Sequence, residues 1–186
     1  MKNVLVVLSG PSGVGKGTVA KMLVENNKNI SLSISCTTRK PRAGERDGIE
    51  YFFIEKEDFV DKVNNDGFLE YSNHFENYYG TPKKFVLDKL KEKDVLLEID
   101  VNGGLEVKKN YPDAVLIMLL PPSIEEVRNR LIKRNTESIE KINLRMERIE
   151  YELAKCNLYD YTVVNDDLFK AIKEIENIIE SEKKEK

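Results

Sequence analysis

The stretch Gly10-Pro11-Ser12-Gly13-Val14-Gly15-Lys16-Gly17-Thr18 decides how this chain is read. An apolar run, residues 4–8, leads into it. A helical pattern with Val19, Met22 and Leu23 on one face leads out of it. Strand, glycine-rich turn and helix in that order are the context of a phosphate loop. The glycines let the backbone turn its N–H groups inward, making a nest for phosphate oxygens. The helix N-terminus adds its partial positive charge. Lys16 brings a full charge to the β- and γ-phosphates of a nucleotide. The residue after it is Gly17, where a Ser or Thr ordinarily supplies a hydroxyl for Mg²⁺. Thr18 follows at once and is expected to take that role, directly or through a water.

Outward from the loop, short apolar runs recur at residues 95–97 with Ile99, at 115–120 and at 161–164. They are brief, rich in Val, Ile and Leu, and bounded by Gly, Pro or Asp, as buried parallel strands are. The C-terminal segment sets Leu168, Ala171, Ile172, Ile175 and Ile179 at helical spacing. This alternation predicts an α/β fold with a parallel sheet. Residues 31 to 82 break the rhythm. Ile30, Leu32 and Ile34 alternate with serines, and a Pro/Gly turn region and the run 51–54 follow. The pattern predicts a small antiparallel insert built onto the sheet. Residues 123 to 151 read as almost purely helical with charges all round, hence a poorly buried, mobile lid.

Composition bounds the rest. The 186 residues fit one domain with a real core. A net charge of -3 gives no global pull toward nucleic acid or an anionic membrane, so neither is expected as a partner. Cys36 and Cys156 lie far apart in no metal-ligand spacing, which favours free thiols in a reducing compartment. One histidine, His74, excludes a His-based metal cluster. No apolar run is long enough for a signal peptide or a membrane span, so a cytoplasmic location is expected. Nothing here decides between monomer and homo-oligomer.

A phosphate loop says nucleotide and no more; the acceptor must be read from the insert. Arg39 and Arg42, three apart, with Tyr51 and Tyr79 make a clamp for a phosphate dianion from forked donors and hydroxyls. Glu70, flanked in the insert by hydroxyl residues, suits guanine. Its carboxylate accepts from N1–H and N2–H, and Ser or Thr hydroxyls donate to O6. Adenine would leave these groups unpaired, which is how a polar pocket rejects an analogue. Glu98 and Asp100, two apart at a strand end, are expected beside the phosphate loop, where α/β ligand crevices form. There they would hold metal-bound waters or orient Lys16 and Arg39.

These segments, with Leu97-Glu98-Ile99-Asp100-Val101-Asn102-Gly103, Leu120-Pro121-Pro122-Ser123 and Val164-Asn165-Asp166-Asp167, run in order over nearly the whole chain and resemble the guanylate kinase family. The resemblance implies an α/β, three-layer P-loop kinase fold: a central parallel sheet from residues 1–34, 84–125 and 152–186, a GMP-binding insert over 35–83 and a helical lid over 126–151. It implies an ATP:GMP phosphotransferase of purine nucleotide metabolism, with dGMP as a second acceptor and Mg²⁺ accompanying ATP. By the same resemblance Gly10 to Thr18, Arg134 and Asn165 would bind ATP, with Asn165 near the adenine. Arg39, Arg42, Tyr51 and Tyr79 would grip the GMP phosphate, Ser35, Glu70 and Thr81 would read the base, and Glu98 and Asp100 would line the GMP site. Lys16, Arg39 and the lid residues Arg130, Arg134 and Arg145, with Arg148 one turn later, would neutralise charge during transfer. The family more often has Asp at Glu98 and Gly at Asn135. Two other readings compete. A guanylate-kinase-like binding module tends to lose the loop and lid residues that are intact here, and a kinase for another phosphate ester has no need of Glu70 or Thr81.

Overall fold

The computed structural model describes residues 2–74, 76–133 and 138–185. In chain order the elements are β1 (Leu5–Ser9), α1 (Lys16–Asn26), β2 (Ile30–Leu32), β3 (Cys36–Thr37), β4 (Phe52–Phe53), α2 (Lys56–Asn64), β5 (Phe68–His74), β6 (Asn77–Pro82) and α3 (Lys83–Leu90). They continue with β7 (Asp94–Glu98), α4 (Val101–Asn110), β8 (Val115–Leu120), α5 (Ile124–Lys133), α6 (Ile139–Leu153), β9 (Tyr161–Val164) and α7 (Leu168–Glu185).

Five strands form a parallel sheet in the order β2-β7-β1-β8-β9. Strand β1 lies at its centre and is buried along its whole length. Alternation along that strand divides the core into two layers. Val4, Val6 and Leu8 face Leu23 of α1 and Ile172 and Ile175 of α7. Leu5 and Val7 face Val86 of α3 and Val101 and Val107 of α4. Each such Val or Leu, taken out of water, contributes roughly 1.5–3 kcal/mol before entropy is charged against it. Helix α7 is pinned to the sheet by Lys183, whose ammonium meets the buried Asp94 at 3.0 Å, while Asp94 also accepts from the Val4 amide at 2.9 Å.

Three expectations are corrected. Ile30–Leu32 belongs to the central sheet, paired parallel with β7, because Ile30 is needed in the core of the α1 side. The insert carries a separate four-stranded sheet, β4-β3-β6-β5, and it is mixed: β3 pairs parallel with β4 and antiparallel with β6. That sheet wraps a small aromatic core in which Phe59 of α2 stacks on Phe68 with ring centroids 4.4 Å apart. Finally, residues 123–151 are not charged all round. Helices α5 and α6 close on their own apolar seam of Val127, Ile142, Met146 and Ile149.

Parallel strands bring their carboxyl ends to one edge. Ser9, Glu98, Leu120 and Val164 end their strands there, and the phosphate loop leaves the sheet at that edge.

Candidate active site

The loop leaving β1 passes through left-handed backbone at Gly13 (φ 81°) and at Gly15 (φ 100°), the residue before α1. Gly15 is required twice over, since a Cβ there would also sit 2.8 Å from the Asn165 amide nitrogen. Asn165 Nδ2 donates to the Val14 carbonyl at 2.8 Å, and the Asn165 amide donates to Leu120 at 2.8 Å. The end of β9 therefore holds the crest of the phosphate loop. Asn165 contacts the loop itself, a finding the expected position near adenine did not contain.

Lys16 curls back to its own loop, donating to Gly10 O at 2.6 Å and Pro11 O at 3.3 Å. Burial lowers its pKa from the ordinary lysine value, opposed by the charge of Glu98. Loss of hydration raises Glu98 in turn, opposed by Lys16. Ser12, Gly13, Gly15, Lys16, Gly17, Thr18 and Glu98 wall one recess. Glu98 also borders a second cavity of about 390 Å³, toward the insert. Among the residues bordering the two hollows, Glu98 is shared, so it stands at their junction.

The second cavity gathers Ser35, Tyr51, Glu70, Tyr79, Glu98 and Asp100, six of the residues expected at the acceptor. Glu70 is 6% exposed and Thr81 fully buried. Thr81 Oγ1 donates to Glu70 Oε1 at 2.6 Å, across a register pair that follows an irregularity between Phe68 and Glu70. The other Glu70 oxygen lies against Gly103 in the first turn of α4. Burial pushes the Glu70 carboxyl up to about 7, with the Thr81 hydrogen bond opposing. Asp100 is the N-cap of α4, accepting from the amides of Asn102 at 2.9 Å and Gly103 at 3.1 Å. Such a cap is worth about 1 kcal/mol.

Arg39 is already organised. Its two terminal nitrogens reach the two Glu45 oxygens at 2.9 Å each, and its guanidinium lies over Tyr51, 5.5 Å from the ring centroid. Tyr51 meets Tyr79 edge-on with centroids 6.0 Å apart. The Arg42 amide donates to Glu45 at 2.7 Å, while Arg42 itself is exposed. Glu45, which the sequence did not single out, thus organises this turn; its signal was an acid three residues after Arg42 in a turn rich in cations. Ser72 was missed too, although it lies two residues from Glu70 and borders the same cavity.

On the helical side, Arg145 is half-buried on α6. Arg130 lies within α5. Arg134 and Asn135 fall outside the described residues. Arg148, one turn past Arg145, borders the second cavity.

A phosphate loop at the carboxyl edge of a parallel sheet, with a walled polar cavity facing it, is the arrangement of a phosphate-loop nucleotide kinase. The comparisons agree. The guanylate kinase family model matches residues 2–182. A guanylate kinase of Caldanaerobacter subterraneus subsp. tengcongensis is 51% identical over 183 residues, spanning 98% of this chain and 89% of the relative. One of Clostridium tetani is 50% identical over 183 residues, spanning 98% and 88%. The crystal structure of guanylate kinase from Anaplasma phagocytophilum matches with a TM-score of 0.77 at 33% identity, over 97% of this chain and 86% of that one. The chain belongs to the guanylate kinase family, and with it to the nucleoside monophosphate kinases.

Proposed function

We propose that this protein transfers the γ-phosphoryl of ATP to an oxygen of the GMP phosphate, yielding ADP and GDP, with dGMP as a second acceptor. The observation that carries the reading is the buried Glu70–Thr81 pair, 2.6 Å across, in the wall of a cavity joined at Glu98 to the phosphate loop. A carboxylate oriented by Thr81 accepts from guanine N1–H and N2–H, the Ser35 hydroxyl on the same cavity wall is left to donate to O6, and adenine mismatches both.

ATP phosphates would lie in the amide nest from Gly10 to Thr18. Lys16 would release Gly10 and Pro11 for the β- and γ-oxygens. The half-filled position of its ammonium, held by two carbonyls, makes that exchange between acceptors rather than a fresh desolvation. Arg39, Arg42, Tyr51 and Tyr79 would hold the acceptor phosphate; Ser35, Glu70 and Thr81 would hold the base. Asp100 would act by fixing the first turn of α4 beside them. Arg130, Arg134 and Arg145 would come over the transferring group. The acceptor is already anionic, so positioning and charge neutralisation suffice without an enzyme-bound intermediate.

The oxygen donors Thr18 and Glu98 wall the recess that holds Lys16. Among the described residues no group of three or more His, Cys, Asp or Glu side chains could hold a metal. That donor set fits Mg²⁺, which takes oxygen ligands and keeps several waters. Thr18 would hold it, with Glu98 reaching its waters. When bound, the ion would offset the negative charge of the nucleotide phosphates.

Residues 1–34, 84–125 and 152–186 would act as a fixed body on which the insert, 35–83, and the lid, 126–151, close. The separate apolar seams of insert and lid support that division. No helix among the described residues is long and apolar enough to cross a membrane, and we place the enzyme in the cytoplasm. Coupled ADP release tests the reaction, with GMP, AMP, CMP and UMP offered in turn and Glu70→Ala alongside. Release with GMP alone, weakened in the variant, is expected. Release with none, despite measurable GMP binding, would overturn the enzyme reading.

A further inference from the structure

Among the described residues of the α5–α6 pair, Arg148 is the one that borders the acceptor cavity. It borders an adjoining hollow as well, one lined by Glu70, Ser72, Asp100, Asn102, Gly103 and Glu106. The residues common to both hollows are Glu70, Ser72, Asp100 and Arg148. Tyr51 and Tyr79, the tyrosines of the proposed phosphate clamp, border one hollow only. Arg148 therefore stands where the two hollows meet, beside Glu70, Ser72 and Asp100, with its charge also felt at Lys16.

The side chain is aimed. Arg148 Nε donates to Glu152 Oε1 at 3.0 Å. The carboxylate is buried, with a side chain 9% exposed, while the Arg148 side chain is 56% exposed. A pair at positions i and i+4 on a helix shares one face. Here the fixed member is Glu152, and it engages the inner nitrogen of the guanidinium. The two terminal nitrogens carry the donors that a fork presents to a planar acceptor edge. The end of α6 is itself held to α4, because Lys155 Nζ donates to Asn102 Oδ1. The end of the helix that carries Arg148 is thus tied to the turn that Asp100 caps.

We propose that Arg148, oriented by Glu152, is a further acceptor-binding residue that donates to the nucleoside half of the acceptor. This replaces, for Arg148, the charge-neutralising role that the family resemblance implies for it together with Arg130, Arg134 and Arg145. It rests on the acceptor site assigned above. The atoms available beside Glu70 are the purine O6 and N7 and the ribose hydroxyls. Guanidinium forks pair well with the first two. Asp100, Glu106 and Glu70 make the hollow acidic, so a cation there also eases entry of an anionic nucleotide.

The test is binding and turnover of Arg148→Ala and Arg148→Lys in the full-length protein. Guanosine serves as a competitive ligand that has no phosphate. Losing a charge-assisted hydrogen bond in a partly open cleft predicts roughly tenfold weaker binding of guanosine and of GMP alike. The KM for ATP and kcat should change less than about threefold, since a uniform binding contact leaves kcat alone. Arg148→Lys should recover part of the loss. Guanosine analogues lacking N7 or the 2′-hydroxyl then locate the contact, as one of them loses its sensitivity to Arg148→Ala. A fall in kcat with guanosine binding unchanged would overturn the proposal and return Arg148 to the phosphoryl group. Unchanged guanosine and GMP binding would leave a surface pair and overturn it equally. Because calorimetric binding of guanosine needs no turnover, failure of the kinase reading would be seen separately.

Discussion

Thr81 Oγ1 and Glu70 Oε1 lie 2.6 Å apart in the buried wall of the cavity, and in the proposed acceptor role this pair would set both its selectivity and its pH behaviour. Burial raises Glu70 to about 7, whereas guanine needs the charged, acceptor-only form. Below that pH each unit of acidification must first be undone by deprotonation. Guanosine affinity should therefore rise about tenfold per pH unit up to near 7 and level off above it. Guanosine titrations from acid to alkaline pH check this without interference from a titrating phosphate. Thr81→Val removes the hydrogen bond that opposes the shift, so the break should move to higher pH. A flat profile would dispose of the assignment.

The same carboxyl makes a prediction about stability. Its folded pKa is raised above the unfolded value, so its favourable contribution is complete below the unfolded pKa and is lost as pH rises through about 7. Glu70→Gln should melt a few degrees above the parent at alkaline pH, with the gap closing in acid. Melting curves at two pH values suffice, and the variant should no longer bind guanosine.

Arg39 is held by Glu45 before any ligand arrives, with side chains 15% and 19% exposed. Glu45→Ala should leave the clamp untethered and raise the KM for GMP roughly tenfold, within the range of charge-assisted hydrogen bonds discounted for partial exposure. Guanosine binding should be unaffected, because Glu45 acts on the phosphate end. Equal losses for both ligands would show that Glu45 supports the insert as a whole.

Asn165→Ala frees the Val14 carbonyl and the loop crest. The expected result is a KM for ATP raised about tenfold with GMP binding unchanged, since a misplaced phosphate nest costs positioning. Initial rates at varied ATP and fixed GMP measure it. A change confined to GMP would contradict the geometry.

Gly104 meets the Tyr159 hydroxyl and the Ser9 hydroxyl so closely that an added Cβ would land on them. Tyr159 donates to Val101 at 2.9 Å and Ser9 to Asp100 O at 3.2 Å, tying β1 and the start of α4 together. Gly104→Ala should destabilise the protein by about 1–3 kcal/mol through overpacking. Tyr159→Phe should relieve part of it, giving a coupling energy in a double-mutant cycle by denaturant unfolding. Strict additivity would mean the backbone moved instead.

Much of this was readable from the chain because it rests on local chemistry. The loop from Gly10 to Thr18 needs its glycines and Lys16 whatever lies elsewhere, and the strands at 115–120 and 161–164 carry their apolar runs openly. Tyr51, Glu70 and Tyr79 were expected at the acceptor from donor and acceptor chemistry and Ser35 from the family pattern, and the fold brings all four to one cavity. What escaped depends on partners distant in sequence. Ile30–Leu32 alternates with serines like an exposed strand, yet its register partner is β7, sixty-four residues on at Ile30↔Asp94. The lid looked uniformly polar because its seam is narrow and is completed by Val127 from a different helix. Glu45 and Arg148 are charged residues in charged surroundings, and only their partners distinguish them.

The grip of Asn165 on Val14 spans 151 positions. During synthesis the phosphate loop leaves the ribosome early, but the side chain that fixes its crest is made near the end. Strand β1 likewise waits for β7 and β8 on either side. A growing chain, or one cut short before β9, would carry the complete nucleotide motif and yet hold it without its brace. With its brace made last, full competence to bind the donor would come only once β9 is in place.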